Sequence, residues 1–361
     1  MASFGTIAVA MSGGVDSSVV ALLLQQQGYH VVGVFMKNWE DATDASYRLH
    51  QTTQITGCNW EQDAADARAV CDQLGIDFYV FDLVQEYRSL VFDAFLKELK
   101  QGRTPNPDIW CNQYIKFDCF LRKALQLPDV THVATGHYAR TDGTSLYRPL
   151  DRSKDQTYFL YRIDSQALEH VLFPLADFTK AQVREMAVSA GLPTARKKDS
   201  TGICFIGDID YRQFVSHYLP MQPGPIETLE GQVLGQHHGL QLYTIGQRTG
   251  LGIGGNGPYY VVAKDRVRNV LFVSNQAQDP RLYRQYCLIN DLHWLQTPVF
   301  PVTCQAQIRY QQTPQTVTVS QAADPDQLRL DFEIPQRAIA TGQSAVLYQA
   351  DLVYGGGIIF D

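Results

Sequence analysis

The chain has 361 residues and a mass of 40.6 kDa, enough for two or three domains that each bury a core of their own. Hydrophobic residues make up 45% and charged residues 19%, a globular composition that excludes disorder, collagen and coiled coils. The formal charge of −7 argues against a surface coated in positive charge, although it leaves room for a local basic patch.

No apolar run approaches the roughly 18 residues of a membrane span, and the N-terminus has neither the charged start nor the cleavage site of a signal peptide. We therefore expect a cytoplasmic protein without a membrane partner. The seven cysteines are odd in number and form no C-x-x-C pair, which disfavours structural zinc and a secreted disulfide framework. No metal site formed by a protein motif is expected.

Residues 6–140 alternate between strand-like and helix-like segments. The predicted strands are 6–11, 30–36, 77–83 and 131–139. The predicted helices start at Ser17 or Ser18, span 61–75 and 114–127, and, after the third strand, carry Tyr87, Leu90, Val91, Ala94 and Phe95 on one face. This alternation predicts a parallel sheet with helices on both faces, whose ligands bind beyond the carboxyl ends of the strands.

Beyond about residue 200 the helical periodicity nearly vanishes, and Gly-rich turns separate short β-type runs. Prolines punctuate the chain from about residue 280 onward. We predict an α/β domain at 1–206, a small β-rich domain at 207–279, and a β-barrel or sandwich at 280–361.

The strongest single signal is Ser12-Gly13-Gly14-Val15-Asp16-Ser17-Ser18, between the first predicted strand and helix. Its two glycines let the backbone turn tightly and bring N–H groups to an anion, and the start of the helix adds its positive end. The Gly-Lys-Ser/Thr of a Walker A loop is missing. The alternative is an ordinary Gly-rich turn with a serine N-cap.

Three other residues are predicted at the same edge of the sheet. Met36 ends the second strand, where an adenine base can lie against it, although a core methionine is an equal alternative. Gly136 and His137 end the strand at 131–139 and are expected near the nucleotide, although a structural role is the default for any single histidine.

Two cysteines lie in distinctive surroundings. A loop stiffened by prolines carries Asn106, Asp108 and Cys111. Cys204 follows a basic run that includes Lys197 and lies in a short apolar segment. Taken alone, Cys111 is a half-buried turn residue and Cys204 a core strand residue, and their spacing does not establish a pair.

The seven-residue loop resembles the PP-loop of the ATP pyrophosphatases, with its S-G-G-x-D-S-S pattern. Those enzymes cut ATP between the α and β phosphates and leave AMP on an oxygen of the substrate. The resemblance implies ATP, adenylation of the substrate, and Mg²⁺ as the counter-charge for the departing pyrophosphate. Asp16 then either aids the magnesium ion or braces the loop.

Along nearly its whole length the chain resembles the bacterial tRNA-specific 2-thiouridylases. The matching blocks are AMSGGVDSSV, GVFMKNW, GRTPNPDIWCNQYIKF, ATGHYAR, KDQTYFL, KKDSTGICFIGD, YTIGQRTGLGIGG and GGGIIF. The resemblance implies a PP-loop domain of the adenine nucleotide hydrolase-like kind, a small β-rich domain and a C-terminal β-barrel. It also implies ATP-dependent 2-thiolation of the wobble uridine of tRNA, with sulfur from a persulfide-donor relay protein or a cysteine desulfurase.

The resemblance assigns roles position by position. Cys111 matches the nucleophile and Cys204 the persulfide-carrying cysteine, with a transient disulfide between them. Asn106, Pro107 and Asp108 match the segment that faces the target base, and Asp108 is a candidate for moving a proton there. The expected ATP-binding residues are Ala10, Met11, Ser12, Gly13, Gly14, Val15, Asp16, Ser17, Ser18, Met36 and Gly136. The expected tRNA-binding residues are His137, Lys154, Asp155, Gln156, Arg309, Tyr310 and Gln343.

The chemistry agrees with these residue types. Adenylation of the 2-carbonyl oxygen makes AMP the leaving group, and a thiolate then attacks more readily than a thiol. Lys197 and Lys198 can lower the thiol pKa of Cys204, although a solvated charge run is the alternative.

Two other functions stay open. One is a PP-loop ligase of another kind, such as an amidating enzyme for a small metabolite, which cysteine-independent turnover would favour. The other is a tRNA-binding protein with a vestigial loop, which releases no pyrophosphate with any tRNA.

Overall fold

The N-terminal part of the chain is built around a parallel sheet, as its alternating elements predict. The structure is a computed structural model that describes residues 5–40, 60–198, 211–254 and 257–361. The strands of this part are β1 (Thr6–Met11), β2 (His30–Lys37), β3 (Asp77–Asp82), β4 (Val130–Ala134), β5 (Arg140–Thr141), β6 (Leu146–Tyr147) and β7 (Val171–Leu172). Five of them form one parallel sheet in the order β3–β2–β1–β4–β7.

Helices cover both faces of this sheet. Their bounds are α1 (Val15–Gln26), α2 (Trp60–Leu74), α3 (residues 84–100), α4 (residues 107–124), α5 (Thr157–Leu160), α6 (Ser165–Leu168), α7 (Lys180–Ser189) and α8 (Tyr211–Tyr218). β1 is buried along its whole length because Ala8 and Ala10 belong to the core on one face, and Ile7, Val9 and Met11 to the core on the other. A strand covered on both faces needs this continuous apolar run.

α3 departs from the predicted helical face at its centre. It consists of Val84–Tyr87, a π-helical segment Arg88–Phe92, and Asp93–Lys100. A π-helical turn holds one residue more than an α-helical turn and so rotates the face that follows. Leu90 is therefore exposed and Phe92 is fully buried, so the prediction that Leu90 packs inward is wrong.

Two β-domains follow. The central strands are β8 (Gly224–Glu227), β9 (Val233–His237), β10 (Tyr260–Asp265) and β11 (Val270–Ser274), in the sheet order β10–β11–β8–β9. The last strands are β12 (Tyr283–Trp294), β13 (Val302–Gln307), β14 (Gln315–Gln321), β15 (Leu328–Arg337), β16 (Ser344–Gln349) and β17 (Leu352–Ile359). Their order is β12–β15–β14–β13–β16–β17, and pairing of β12 with β17 closes a six-stranded barrel. The predicted C-terminal β-barrel is confirmed.

The barrel is joined to the N-terminal part by backbone as well as by side chains. The β5–β6 hairpin adds to the edge of β17, where Tyr147 pairs with Leu352. Short 3₁₀ turns lie at Arg152–Lys154, Leu240–Leu242 and Pro280–Leu282. Within the described ranges, no helix has the length and apolar character that crossing a membrane requires.

Candidate functional site

The predicted phosphate loop lies at the carboxyl end of β1, and its serines close it on itself. The Ser17 and Ser18 hydroxyls donate to the Gly14 carbonyl at 3.2 and 2.8 Å, and the Ser12 and Ser17 hydroxyls lie 3.2 Å apart. α1 begins at Val15 with Gly14 as its N-cap and no side-chain cap. The predicted helix start at Ser17 or Ser18 is wrong, because the Gly14 carbonyl already accepts the helical N–H of Ser18, at 3.3 Å. The first-turn N–H groups are thus left without a side-chain acceptor, as an anion site requires.

Two glycines are required by close packing around this loop. Gly13 has φ +70°, and a Cβ there would lie 2.3 Å from the Asp63 carbonyl oxygen of α2. Gly136, just beyond β4, faces the first turn of α1, where a Cβ would lie 2.9 Å from the Asp16 Cβ. Gly14 is less constrained, since its φ is −98° and the nearest atom to an added Cβ is the Ser12 Oγ at 3.4 Å. A side chain at Gly13 or Gly136 would push the loop away from its neighbours.

Asp16 is braced by two residues distant in sequence. The Lys180 ammonium lies 2.7 Å from both carboxylate oxygens, and the Tyr138 hydroxyl donates to Oδ1 at 3.1 Å. Lys180 is the first residue of α7, whose start is set by the capping box of Thr179 and Gln182. The sequence shows that capping box, but no local signal indicates that Lys180 reaches Asp16.

The other predicted nucleotide residues share this edge. The sheet order makes β1 and β4 adjacent, and the chain leaves β1 toward β2 on its other side, so ligands are expected between the ends of β1 and β4. Ala10 and Met11 are buried at the end of β1. Met36 is half-buried, pairs with Phe81, and stands one residue before the end of β2.

His137 lies beyond β4, which ends at Ala134, rather than in the predicted strand. Its ring packs against Phe117 and Phe173, at centroid distances of 5.6 and 6.4 Å, and its Nδ1 bonds the Thr135 hydroxyl at 2.9 Å. Burial, followed by the positive charge of Lys116, lowers the pKa of His137 well below its ordinary value of 6.5. The imidazole is therefore neutral at pH 7.

The segment with Asn106, Pro107, Asp108 and Cys111 is the start of a helix. Asn106 is the N-cap of α4, its side-chain oxygen accepts the Asp108 N–H at 3.2 Å, and Pro107 occupies the first helical position. The prediction of a rigid loop is wrong here, although an Asn cap followed by Pro at N1 is a helix-start signal that the sequence contains. Cys111 is fully buried in the first turns of the helix.

α4 continues as a π-helical segment, Cys111–Phe120, and ends with an α-helical turn, Leu121–Ala124. Asn112 is 2% exposed and donates its amide to the Phe159 carbonyl at 3.1 Å. Its Oδ1 is buried and has no hydrogen-bond partner among the residues that the structure describes. Asn112, the residue next to Cys111, is thus hydrogen-bonded through its amide nitrogen and not through its side-chain oxygen within the described residues.

The other cysteines that the structure describes are ordinary core residues. Burial raises the pKa of Cys71, Cys287 and Cys304 to about 12 each, and also raises the pKa of Cys119. Cys204 lies outside the described residues, and so does its predicted disulfide with Cys111.

The basic run before Cys204 is partly neutralised. The Lys197 ammonium lies 2.7 Å from an Asp63 carboxylate oxygen and 2.5 Å from one of Asp66, both on α2. Burial acts to lower the pKa of Lys197, but these two carboxylates raise it overall. The predicted influence of Lys197 on a thiol is therefore weakened by its two anionic partners.

The predicted tRNA-binding residues are distributed between the N-terminal domain and the barrel. Gln156 exchanges two hydrogen bonds with the Tyr138 backbone, at 2.8 and 3.1 Å, and Asp155 pairs with Arg148 at 2.5 Å. Tyr310 packs on Phe159 with ring centroids 4.3 Å apart. Lys154 lies in the 3₁₀ turn. Arg309 donates to the Ala338 carbonyl at 2.8 Å, and Gln343 donates to the Thr104 carbonyl at 2.7 Å.

A buried polar network, not predicted from the sequence, docks the barrel on the N-terminal domain. The Tyr158 hydroxyl donates to the Ser344 carbonyl and the Tyr161 hydroxyl bonds the Ser344 hydroxyl, each at 3.0 Å. Arg162 donates to Gln113 of α4 at 2.8 Å and to the backbone and side chain of Asp291 in β12 at 2.9 and 3.1 Å. The position of the helix with Cys111 therefore depends on the barrel.

Known proteins are similar to nearly the whole chain. Family models match residues 5–208 (tRNA methyl transferase HUP domain), 212–275 (tRNA methyl transferase PRC-barrel domain) and 284–359 (Aminomethyltransferase beta-barrel domain). The tRNA-specific 2-thiouridylase MnmA of Protochlamydia amoebophila is 45% identical over 361 residues, which cover 98% of this chain and 93% of that protein. The enzyme of the same name from Shouchella clausii is 47% identical over 360 residues, 98% of this chain and 96% of that protein.

Proposed function

We propose that the chain, which belongs to the family of the tRNA-specific 2-thiouridylases, uses ATP to replace the 2-oxygen of the wobble uridine of tRNA with sulfur. The relatives that carry this enzyme name align with 98% of the chain. On this proposal the protein is a tRNA sulfurtransferase that releases AMP and pyrophosphate.

One observation carries the proposal: the consecutive residues Gly136 and His137 contact the first turn of α1 and the helix that carries Cys111, respectively. Gly136 faces the first turn of α1, and the His137 ring packs on Phe117 of α4. The anion loop and the helix that carries Cys111 therefore meet at one edge of the sheet. An enzyme that activates an oxygen with ATP and then replaces it with sulfur needs these two groups together.

The loop fits the phosphates of ATP by its own chemistry. The first turn of α1 has no side-chain cap, and the positive φ of Gly13 lets the backbone of the loop turn tightly before the helix. Asp16 is the acidic side chain of the loop and would face the Mg²⁺ of the nucleotide while Lys180 and Tyr138 hold it in place. The ion would neutralise charge on the departing pyrophosphate.

The sulfur steps need both cysteines. The terminal sulfur of a Cys204 persulfide attacks C2 of the adenylated uridine, and AMP leaves with the former 2-oxygen. The Cys111 thiolate then attacks the Sγ of Cys204, which releases 2-thiouridine and forms a Cys111–Cys204 disulfide. A dithiol reductant reopens the disulfide. Because Cys111 is fully buried, the proposal requires the residues around it to part when the RNA binds.

The test is a thiolation assay with tRNA, ATP and a persulfide donor, followed by nucleoside analysis for 2-thiouridine. We expect Cys204→Ser to bind ATP and tRNA but to carry no persulfide, and Cys111→Ser to accept the persulfide without forming product. Cys304→Ser, in the barrel core, is the control and retains activity. Mass spectrometry after one turnover without reductant is expected to show the disulfide peptide.

The same assay distinguishes 2-thiolation from the alternative functions. Turnover by the double cysteine variant would point to an amidating ligase instead. Both thiols free while 2-thiouridine accumulates would exclude the disulfide step.

A further inference from the structure

Two arginines lie near each other at the seam between the central domain and the barrel. The Arg309 guanidinium donates to the Ala338 carbonyl at 2.8 Å, and Arg337, the last residue of β15, immediately precedes Ala338. The Arg337 guanidinium lies 5.2 Å from the centre of the Tyr260 ring in β10. Desolvation of its guanidinium and the nearby charge of Arg337 lower the pKa of Arg309.

These two cations lack the partners that neighbouring arginines have. Neither Arg309 nor Arg337 forms an ion pair with a residue in the part of the chain that the structure describes. By contrast, Arg281, Arg284 and Arg329, from the same C-terminal region, all pair with carboxylates. Two like charges held together without a counter-charge repel each other, and a bound anion relieves that repulsion. In a chain of net charge −7, such a site is not a by-product of excess positive charge.

The central domain packs closely on the end of β15, beside Arg337. Gly246 has φ +82°, and a Cβ there would lie 2.5 Å from the Ala338 Cβ and 3.4 Å from Arg337 Nη1. Only glycine permits this approach. Two residues further on, Arg248 is exposed and likewise forms no ion pair with the described residues.

The seam adjoins the start of the helix that carries Cys111. The Thr104 N–H donates to the Thr341 carbonyl at 2.8 Å, and the Thr104 and Thr244 hydroxyls lie 3.1 Å apart. All three domains thus meet two residues before Asn106. Thr244 and Thr341 are close in sequence to Gly246 and Arg337, so the arginines flank the approach to the predicted target-base segment.

We propose that Arg337 joins Arg309, which the family resemblance already assigns to tRNA, in binding a backbone phosphate of the RNA substrate beside the target nucleotide, and that Arg248 extends this surface onto the central domain. The inference rests on the proposed function and adds the seam between the two β-domains to its RNA-binding surface. A phosphodiester suits the site because a guanidinium binds phosphate through two parallel hydrogen bonds and stays charged at all relevant pH values.

The test is the affinity for a wobble-uridine tRNA measured as a function of salt. Loss of one phosphate contact lowers the slope of log K against log salt by about 0.7 to 0.9, which weakens binding about five- to eightfold at 0.1 M salt. We expect this for Arg337→Met and for Arg248→Met, whereas Arg337→Lys keeps most of the slope. Arg329→Met is the matched control, because Arg329 also lies on β15 and stacks on a tyrosine, Tyr286 at 3.9 Å, but is paired with Asp331.

Several results would overturn the proposal. A wild-type slope in both Arg337→Met and Arg248→Met would do so. An equal loss in Arg337→Lys and Arg337→Met would assign Arg337 to packing of the two β-domains, and a raised KM for ATP with unchanged tRNA affinity would identify the anion as the nucleotide. If Arg337→Met does not fold, the exposed Arg248→Met decides. Failure of the wild type to form 2-thiouridine would reject the proposed function, whereas the salt slopes report on RNA binding independently of turnover.

Discussion

The two sides of the site are the phosphate loop (residues 12–18), which we call the loop wall, and the helix α4 that carries Cys111, which we call the cysteine wall. These two walls are held in different ways. The phosphate loop is closed by hydrogen bonds between residues three to five apart, such as those of Ser17 and Ser18 with Gly14. The helix that carries Cys111 is held by partners much further along the chain. Asn112 bonds Phe159, 47 residues away, and Thr104, just before the helix, bonds Gln343, 239 residues away.

The difference separates two steps of the proposed reaction. The loop and its distant braces, Lys180 and Tyr138, all lie within the N-terminal domain, so ATP binding does not depend on docking of the barrel. The cysteine wall is complete only when the barrel is docked, through Arg162 and its bonds to Gln113 and Asp291. We therefore expect changes in the loop to abolish adenylation and changes at the barrel contact to affect sulfur transfer first.

The largest effect is expected from Gly13→Ala. The added Cβ would lie 2.3 Å from the Asp63 carbonyl oxygen, and the alanine would have to adopt a φ of +70°. The loop must therefore move. A displacement of about 1 Å at reacting groups costs on the order of 100-fold in rate, so we expect pyrophosphate release to fall by at least that factor. Gly14→Ala is the control, because φ −98° and a 3.4 Å contact accommodate a methyl group. Equal activity in both variants would refute the assignment of Gly13 as the constrained glycine.

Arg162→Met tests the other wall. Arg162 is 6% exposed, and its loss leaves the Gln113 side chain and the Asp291 backbone without their donor. We expect the stability to fall by about 2–3 kcal/mol and thiolation to fall on the order of tenfold, while the affinity for ATP is unchanged. Calorimetric melting, nucleotide titration and 2-thiouridine formation measure the three quantities.

The matched control is Arg152→Met. Arg152 also joins the N-terminal domain to the barrel, through Asp351 at 2.6 Å, but both side chains are nearly half exposed. An exposed pair of this kind contributes about 0–1 kcal/mol, so stability and thiolation are expected to stay close to wild type. If Arg152→Met lowers thiolation as much as Arg162→Met does, then any weakening of the contact between the barrel and the N-terminal domain reduces thiolation. The bond of Arg162 to Gln113 then has no special role.

The sequence predicts the loop wall better than the cysteine wall, for the same physical reason. The apolar run of β1 and the Ser-Gly-Gly loop are local patterns, and the structure places both as predicted. The salt bridge of Lys180 with Asp16 joins residues 164 apart and has no local signature. Such a contact forms only when the folded sheet brings α1 and α7 next to each other.

Two predictions that the structure contradicts, one on α4 and one on the neighbouring α3, fail for different reasons. The helix start at Pro107 was visible in the sequence, since Asn106 is a favoured N-cap, but the two prolines favoured a loop. The exposure of Leu90 was not visible, because the π-helical segment that shifts its face depends on packing against α4. A periodicity of 3.6 residues cannot anticipate a turn that holds one residue more.

The smallest effect concerns His137, where the two walls touch. Packing on Phe117 and Phe173 lowers its pKa well below 6.5, so the folded protein keeps the ring neutral while the unfolded chain binds a proton as the pH falls below 6.5. Stability that is complete above pH 6.5 is therefore lost between 6.5 and the lowered pKa, with a slope of at most about 1.4 kcal/mol per pH unit. His137→Gln cannot take up this proton, so its stability relative to wild type is expected to rise by about 1 kcal/mol between pH 7 and pH 5.5. Urea unfolding of both proteins at several pH values measures this difference, in which the contributions of the other histidines cancel. Parallel curves for the two proteins would mean that His137 is protonated as easily in the folded state as in the unfolded chain, and that the contact between the walls is open to water.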